Sequence, residues 1–132
     1  MANQKRDVKL TLTDLVAKKA EKEAARTRSE DVYVESLGGY LTVQSPPRNI
    51  FFKSVDMSGD STESQVYANM FLIYNCVSLF RNSELLAEYD VTDNVEIVEK
   101  LLELHEIKDL AEKAMELSGF TKPQKLDEEI KN

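Results

Sequence analysis

The stretch "YANMFLIYNCVSLF", residues 67–80, is the most apolar part of the chain and holds its single cysteine, Cys76. A bilayer span needs about 20 largely apolar residues. The run from Val66 to Phe80 is 15 residues long and is interrupted by Asn69, Asn75 and Ser78, so it is too short and too polar to cross a membrane. On a helical wheel Val66, Met70, Ile73, Val77 and Phe80 share one face, while Phe71, Leu72 and Leu79 point elsewhere. A helix that is apolar nearly all round is central in its domain or is covered by another subunit. The expected reading is a buried central helix with an additional contact surface.

The flanking sequence supplies what such a helix would pack against. Residues 11–28, "TLTDLVAKKAEKEAARTR", begin with Thr11 as N-cap and Asp14 three residues on, then run through strong helix formers. The apolar stripe of this helix, Leu12, Leu15, Val16 and Ala20, fades after two turns into alternating Lys and Glu. The first half therefore has a face to bury, and the second is a solvated arm or waits for a partner. "DVYVESLGGYLTVQ", residues 31–44, reads as a β-hairpin around a Gly38-Gly39 two-residue turn. That turn pairs Leu37 with Tyr40, Ser36 with Leu41 and Val34 with Val43. It gathers Val32, Val34, Leu41 and Val43 on one face and Tyr33, Glu35, Tyr40 and Thr42 on the other. Two strands alone are marginal in water, so the ribbon must lie on helices or gain strands from another chain.

Ser45 before Pro46-Pro47 reads as a helix start, with Ser45 capping and a proline at the first helical position, leading into Ile50, Phe51 and Val55. "SGDST", residues 58–62, breaks the chain. The spacing then predicts helices over 62–78, 83–89, 94–104 and 105–118, the last closed by Gly119 in a left-handed C-cap with Phe120 packing back on Met115. The expected fold is mainly α with one small hairpin (α+β): an N-terminal helix, the hairpin, then a bundle of four to five helices. One domain spans 11–120, between a flexible N-terminus at 1–10 and a flexible acidic tail, "TKPQKLDEEIKN", at 121–132.

Composition narrows the function classes. A single cysteine forms neither an intramolecular disulfide nor a thiolate zinc site, and no basic segment followed by an apolar core opens the chain, so a reducing cytoplasm is the expected address. Residues 1–82 carry 11 Lys/Arg against 10 Asp/Glu, whereas residues 83–132 carry 6 against 14. A chain with that acidic half repels a phosphate backbone, and the basic stretch at 18–28 is interrupted by Glu21 and Glu23, so nucleic acid is not an expected partner. Cys76 needs a base to become a nucleophile, and the one histidine, His105, lies 29 residues on at a predicted helix start beside Glu103 and Glu106. A buried structural cysteine and a solvated or capping histidine are the expected roles. The acidic residues from Glu84 to Glu116 recur at spacings of three and four without a calcium-loop or His–Glu ligand pattern, and read as a solvated face. "SLGGY" and "SGDST" are turns, not phosphate loops. No catalytic residue, cofactor, metal or small-molecule substrate is expected.

From residue 72 to 120 the chain reads an apolar "LIYNCV" helix, a short "SELLAEYDV" segment, a "VEIVEKLL" helix, and a closing "HEIKDLAEKAMELSGF". With the "TLTDLVAKK" helix and the β segment near "VYVESLGGYLTV", this resembles the small tail assembly chaperones of long-tailed phages and of PBSX-type defective prophages of Gram-positive bacteria. The resemblance implies a non-enzymatic protein acting in the cytoplasm of the bacterial host. Its implied partner is the tape measure protein, a long helical chain that such chaperones keep soluble while the tail tube polymerises around it; they are absent from the finished particle. An acidic protein with surplus apolar helix surface suits that task. The expected contacts are Val66, Met70, Phe71, Leu72 and Phe80, with Met70 and Met115 adding adaptable surface. Self-association through the same helix, and an adaptor module of a bacterial operon binding a defined protein, are the other readings of the pattern.

Overall fold

The computed structural model describes residues 7–120. The flexible tail expected at 121–132 and the first six residues lie outside the described residues. In chain order the elements are α1 (Leu12–Ala17), α2 (Lys19–Ala25), β1 (Ser29–Val34), β2 (Gly39–Gln44), α3 (Arg48–Met57), α4 (Thr62–Cys76), α5 (Ser83–Glu88), α6 (Ile97–Leu101) and α7 (Leu104–Ser118). Short 3-10 turns at Glu35–Leu37, Ser78–Arg81 and Asn94–Glu96 join them. The chain is mainly α with one antiparallel hairpin, followed by five helices.

The core forms where α4 packs against α3 and α7, with β2 and α6 also against it. Helix α4 contributes Met70, Leu72, Ile73 and Cys76, and α7 contributes Ile107, Leu110, Ala111, Ala114 and Leu117. The small residues Ala111 and Ala114 let the two long helices approach closely. Packing against several elements at once explains why α4 has no single apolar face. Its interrupting polar group is satisfied locally: the half-buried Asn75 amide donates to the Phe71 carbonyl at 2.9 Å. The helix stops at Cys76, and Val77 turns extended, so Val77 and Phe80 reach the core from the following turn, not from the helix itself.

The hairpin departs from its expected register. Val34 pairs with Gly39, Tyr33 with Tyr40, Val32 with Leu41 and Glu30 with Val43. The turn is not Gly38-Gly39 alone: Glu35–Leu37 forms a 3-10 turn that ends on Gly38 at φ 68°, a left-handed conformation suited to glycine. Gly38 N–H closes it on the Val34 carbonyl at 2.9 Å. This register sets the Tyr33 and Tyr40 rings edge to face at 5.3 Å and places the Thr42 hydroxyl 2.7 Å from the Asp31 carboxylate, two cross-strand pairs that the tighter turn would have separated. The slip is even in residue number, so the faces stand: Val34, Leu41 and Val43 are buried, and Tyr33, Tyr40 and Thr42 are exposed.

Three polar ties fasten β1 and the hairpin turn along α7, running antiparallel to it. At the start of α7, Ser36 donates to Glu106 through both its N–H (3.0 Å) and its hydroxyl (2.6 Å). Midway, the Lys113 ammonium lies 2.9 Å from the Glu30 carboxylate and 3.0 Å from Glu116. Glu30, ahead of Glu116, holds the ammonium above its usual range. At the far end the Arg28 guanidinium donates to the Leu117 carbonyl at 3.1 Å, placing a cation at the negative end of the helix dipole.

Other expectations are corrected at the element ends. The N-terminal helix is broken at Lys18 into α1 and α2, and no residue of either half is buried, so no packing holds the stretch as one rod. Thr11 and Asp14 do form the capping box. Ser45 caps nothing: its hydroxyl donates to the Arg26 carbonyl and its N–H to the Arg28 carbonyl, tying the end of β2 to the segment before β1, and α3 begins after Pro47 without a side-chain cap. Gly119 takes the left-handed C-cap at φ 86°, but the Phe120 ring stacks on Phe51, with centroids 4.9 Å apart.

Candidate functional site

The five expected contact residues divide by depth. Leu72 is 0 % exposed, and Met70 and Phe80 are also buried within the core, each surrounded by side chains of its own chain. These three present no surface to another molecule in this fold, because neighbouring elements cover all of them. Val66 and Phe71 are half-buried against the core and keep some accessible area. The surplus apolar surface read into the central helix is mostly its second packing face.

Accessible apolar surface lies elsewhere, at the junction of α3 with the end of α7. Phe52 is 60 % exposed and Phe120 68 % exposed, on either side of a buried Phe51 whose ring lies 5.9 Å from one and 4.9 Å from the other. A cleft of about 200 Å³ opens between them, lined also by Pro46, Arg48 and Gly119. Val55, one turn on from Phe51 and Phe52 in α3, is half exposed. The elements explain the arrangement. The Pro46-Pro47 pair delivers the chain to α3 with its first turn facing the α7 C-terminus, and the left-handed Gly119 turns Phe120 back across it. Sequence reading placed Phe51 and Phe120 in apolar positions but had no means of pairing residues so far apart. Their single local signal is the doubled phenylalanine after a helix start.

A second arginine-rimmed cleft, of about 420 Å³, lies between the segment before β1 and the end of β2, lined by Arg26, Arg28, Gln44, Ser45 and Pro47 among others. Arg28 is already engaged with the α7 C-terminus.

Two groups with apparent chemistry, Cys76 and Glu106, are buried within the fold. Cys76 is fully buried, and burial pushes its thiol up to about 12 against a small opposing effect of Arg81. At neutral pH it is therefore a neutral thiol, while His105 is exposed on the first turn of α7. In the native protein a thiol-specific reagent at pH 8 is expected to leave Cys76 unmodified, and one equivalent to react once denaturant unfolds the chain; rapid native labelling would show the thiol to be accessible. Glu106, read from sequence as part of a solvated acidic face, is buried. Its carboxylate accepts from Ser36 and from the Glu103 N–H at 2.9 Å, and these bonds, the Ser36 hydroxyl first, hold it below the usual carboxylate range. Among the described residues no group of three or more His, Cys, Asp or Glu is placed to hold a metal ion. No helix among them is long and apolar enough to cross a membrane.

What the fold presents to other molecules is a set of exposed apolar and charged patches on a small helical scaffold, the outline of a protein-binding module. The chain belongs to the phage tail assembly chaperones: the family model of the phage XkdN-like tail assembly chaperone proteins matches residues 48–131. The matched span begins with α3, so it contains the five-helix body and leaves α1, α2 and the hairpin outside. No curated protein and no solved structure matches the chain significantly.

Proposed function

We propose that this tail assembly chaperone acts in the cytoplasm of the bacterial host by binding the tape measure protein and keeping it soluble until the tail tube encloses it, without entering the finished particle. It works by contact, not by catalysis. The observation that carries this reading is the exposed Phe52–Phe120 pair over Phe51, inside the span matched by the family model. A long amphipathic chain exposes apolar stripes to water, and a concave aromatic surface is suited to receive the apolar side of a helix. The chain's net charge of −7 keeps a complex apart from its neighbours in solution. Of the contacts expected from sequence, Val66 and Phe71 retain accessible area and form the competing location.

Co-expression with the cognate tape measure protein is the test. The wild-type chain should raise the soluble yield of that client. A Phe52→Asp/Phe120→Asp double variant should lose most of the rescue while keeping helical circular dichroism, because both side chains are exposed. Unchanged client solubility with the wild type would overturn the chaperone–client reading. Full rescue by the double variant, with loss in Phe71→Asp, would move the contact to α4.

A further inference from the structure

The cleft between Phe52 and Phe120 does not end at the aromatic rings. Pro46, Arg48 and Ser118 also line a neighbouring cleft of about 220 Å³, which in turn shares Arg26, Ser45 and Pro47 with the cleft of about 420 Å³ before β1. Aromatic and arginine-bearing surfaces thus share walls, with the two prolines between them. Among the described residues, every charged side chain lining these three clefts is an arginine: Arg26, Arg28 or Arg48. Glu30 and Glu116 stand in the next cleft, beyond Arg28, where the Lys113 ammonium engages both.

Arg28 is held by the Leu117 carbonyl. Arg26 and Arg48 are exposed, and among the described residues neither guanidinium pairs with a carboxylate. In a chain of net charge −7, a groove charged by arginines alone is a local reversal of sign. It attracts an anion where the rest of the surface repels one, and so fixes where a charged ligand lands. A planar guanidinium pairs with a carboxylate through two parallel N–H···O bonds. Nucleic acid also offers anions to arginine, but a long run of phosphates meets the repulsion of the acidic remainder of the chain. A protein segment with a few carboxylates beside apolar side chains satisfies both surfaces without that repulsion.

We infer that the groove takes an acidic–apolar segment of its protein partner: apolar side chains enter the Phe52–Phe120 cleft, and the Asp or Glu side chains adjoining them pair with Arg48 and Arg26. The inference rests on that cleft being the client contact, and adds the charge of the client segment and the two arginines that read it.

Fluorescence anisotropy on the full chain tests it without the client, using two labelled amphipathic helical peptides alike in their leucines and differing in having glutamate or lysine beside them. The glutamate peptide should bind about tenfold more tightly in low salt, and high salt should narrow the difference. Arg26→Glu/Arg48→Glu should reverse the preference, with thermal unfolding unchanged because both side chains are exposed. Phe52→Ala should weaken both peptides. Equal binding of the two peptides, or binding of neither, overturns the inference, as does a glutamate preference that survives in the arginine variant. A labelled single-stranded oligonucleotide that binds more tightly than the glutamate peptide, and is lost in the arginine variant, overturns it in favour of nucleic acid. Residues 126–130 of this chain, "LDEEI", carry the same chemistry. Glutamate-peptide binding that tightens tenfold or more in Leu126→Ser/Ile130→Ser therefore overturns it in favour of the chain's own segment as occupant. The chaperone reading is judged separately: a wild type that rescues the client without preferring the glutamate peptide overturns this inference alone, and a wild type that prefers the peptide without rescuing the client overturns only that reading.

Discussion

Leu72→Asp is expected to abolish the cooperative thermal transition and most of the helical circular dichroism. Leu72 is 0 % exposed, in the C-terminal half of α4. Truncating a buried leucine alone costs about 3 to 5 kcal/mol. An unpaired carboxylate in the same place adds several kcal/mol more, whether it ionises or is forced to remain protonated. Together these are comparable to the whole of a typical total stability of roughly 5 to 15 kcal/mol. Phe52→Asp makes the same kind of charge at a solvent-facing position, where the expected cost is about 0.5 kcal/mol or less. The pair of variants therefore separates core from surface: Leu72→Asp unfolds, and Phe52→Asp folds with its client contact impaired. A natively folded Leu72→Asp protein would mean that α4 exposes this face, and would return Leu72 to the contact surface.

The contrast between Leu72 and Phe52 also marks what was legible from residues alone. Periodicity located α4 and α7 nearly to their ends, because a long apolar run and a spaced stripe closed by Gly-Phe are local signals. The hairpin faces were legible for the same reason, since side chains alternate whatever the register. Register was not, because it depended on Ser36 reaching Glu106 and Tyr33 meeting Tyr40, contacts that the Gly38-Gly39 dipeptide does not encode. Local pattern also says that a face is apolar without saying what covers it. The all-round apolar character of α4 suggested spare surface, but α3, α7, β2 and α6 all pack against it. The modest stripe on α1 suggested burial, and in the monomer it is bare. The candidate site was the least legible part. Phe51, Phe52 and Phe120 become one surface only when the left-handed turn at Gly119 brings the end of α7 back to the start of α3.

Glu106→Ala is expected to lower the unfolding midpoint by roughly 10 °C, the equivalent of about 2 to 4 kcal/mol in a chain of this size. The carboxylate accepts three hydrogen bonds, two from Ser36 and one from the Glu103 N–H, and so joins the hairpin turn to the first turn of α7. Removing it leaves the Glu103 N–H without its N-terminal acceptor and releases the hairpin tip, although solvent can reach Ser36 and recover part of the loss. The sign of the pH dependence follows from the direction of the shift. Because these bonds hold the folded carboxyl below its ordinary range, its contribution is fully present above the unfolded Glu range, near pH 4 to 5, and disappears as pH falls through the lower folded value. Wild-type stability should therefore fall on acidification through this window, and Glu106→Gln should fall less, since an amide can keep one of the accepted bonds but does not titrate. Thermal melts of the three proteins from pH 7 to pH 3 read the difference directly. Parallel pH profiles for wild type and Glu106→Gln would place the acid-sensitive group elsewhere. Equal midpoints for wild type and Glu106→Ala at neutral pH would mean that the hairpin is held to α7 by Val34, Leu41 and Val43 and the Arg28 and Lys113 ties without this carboxylate.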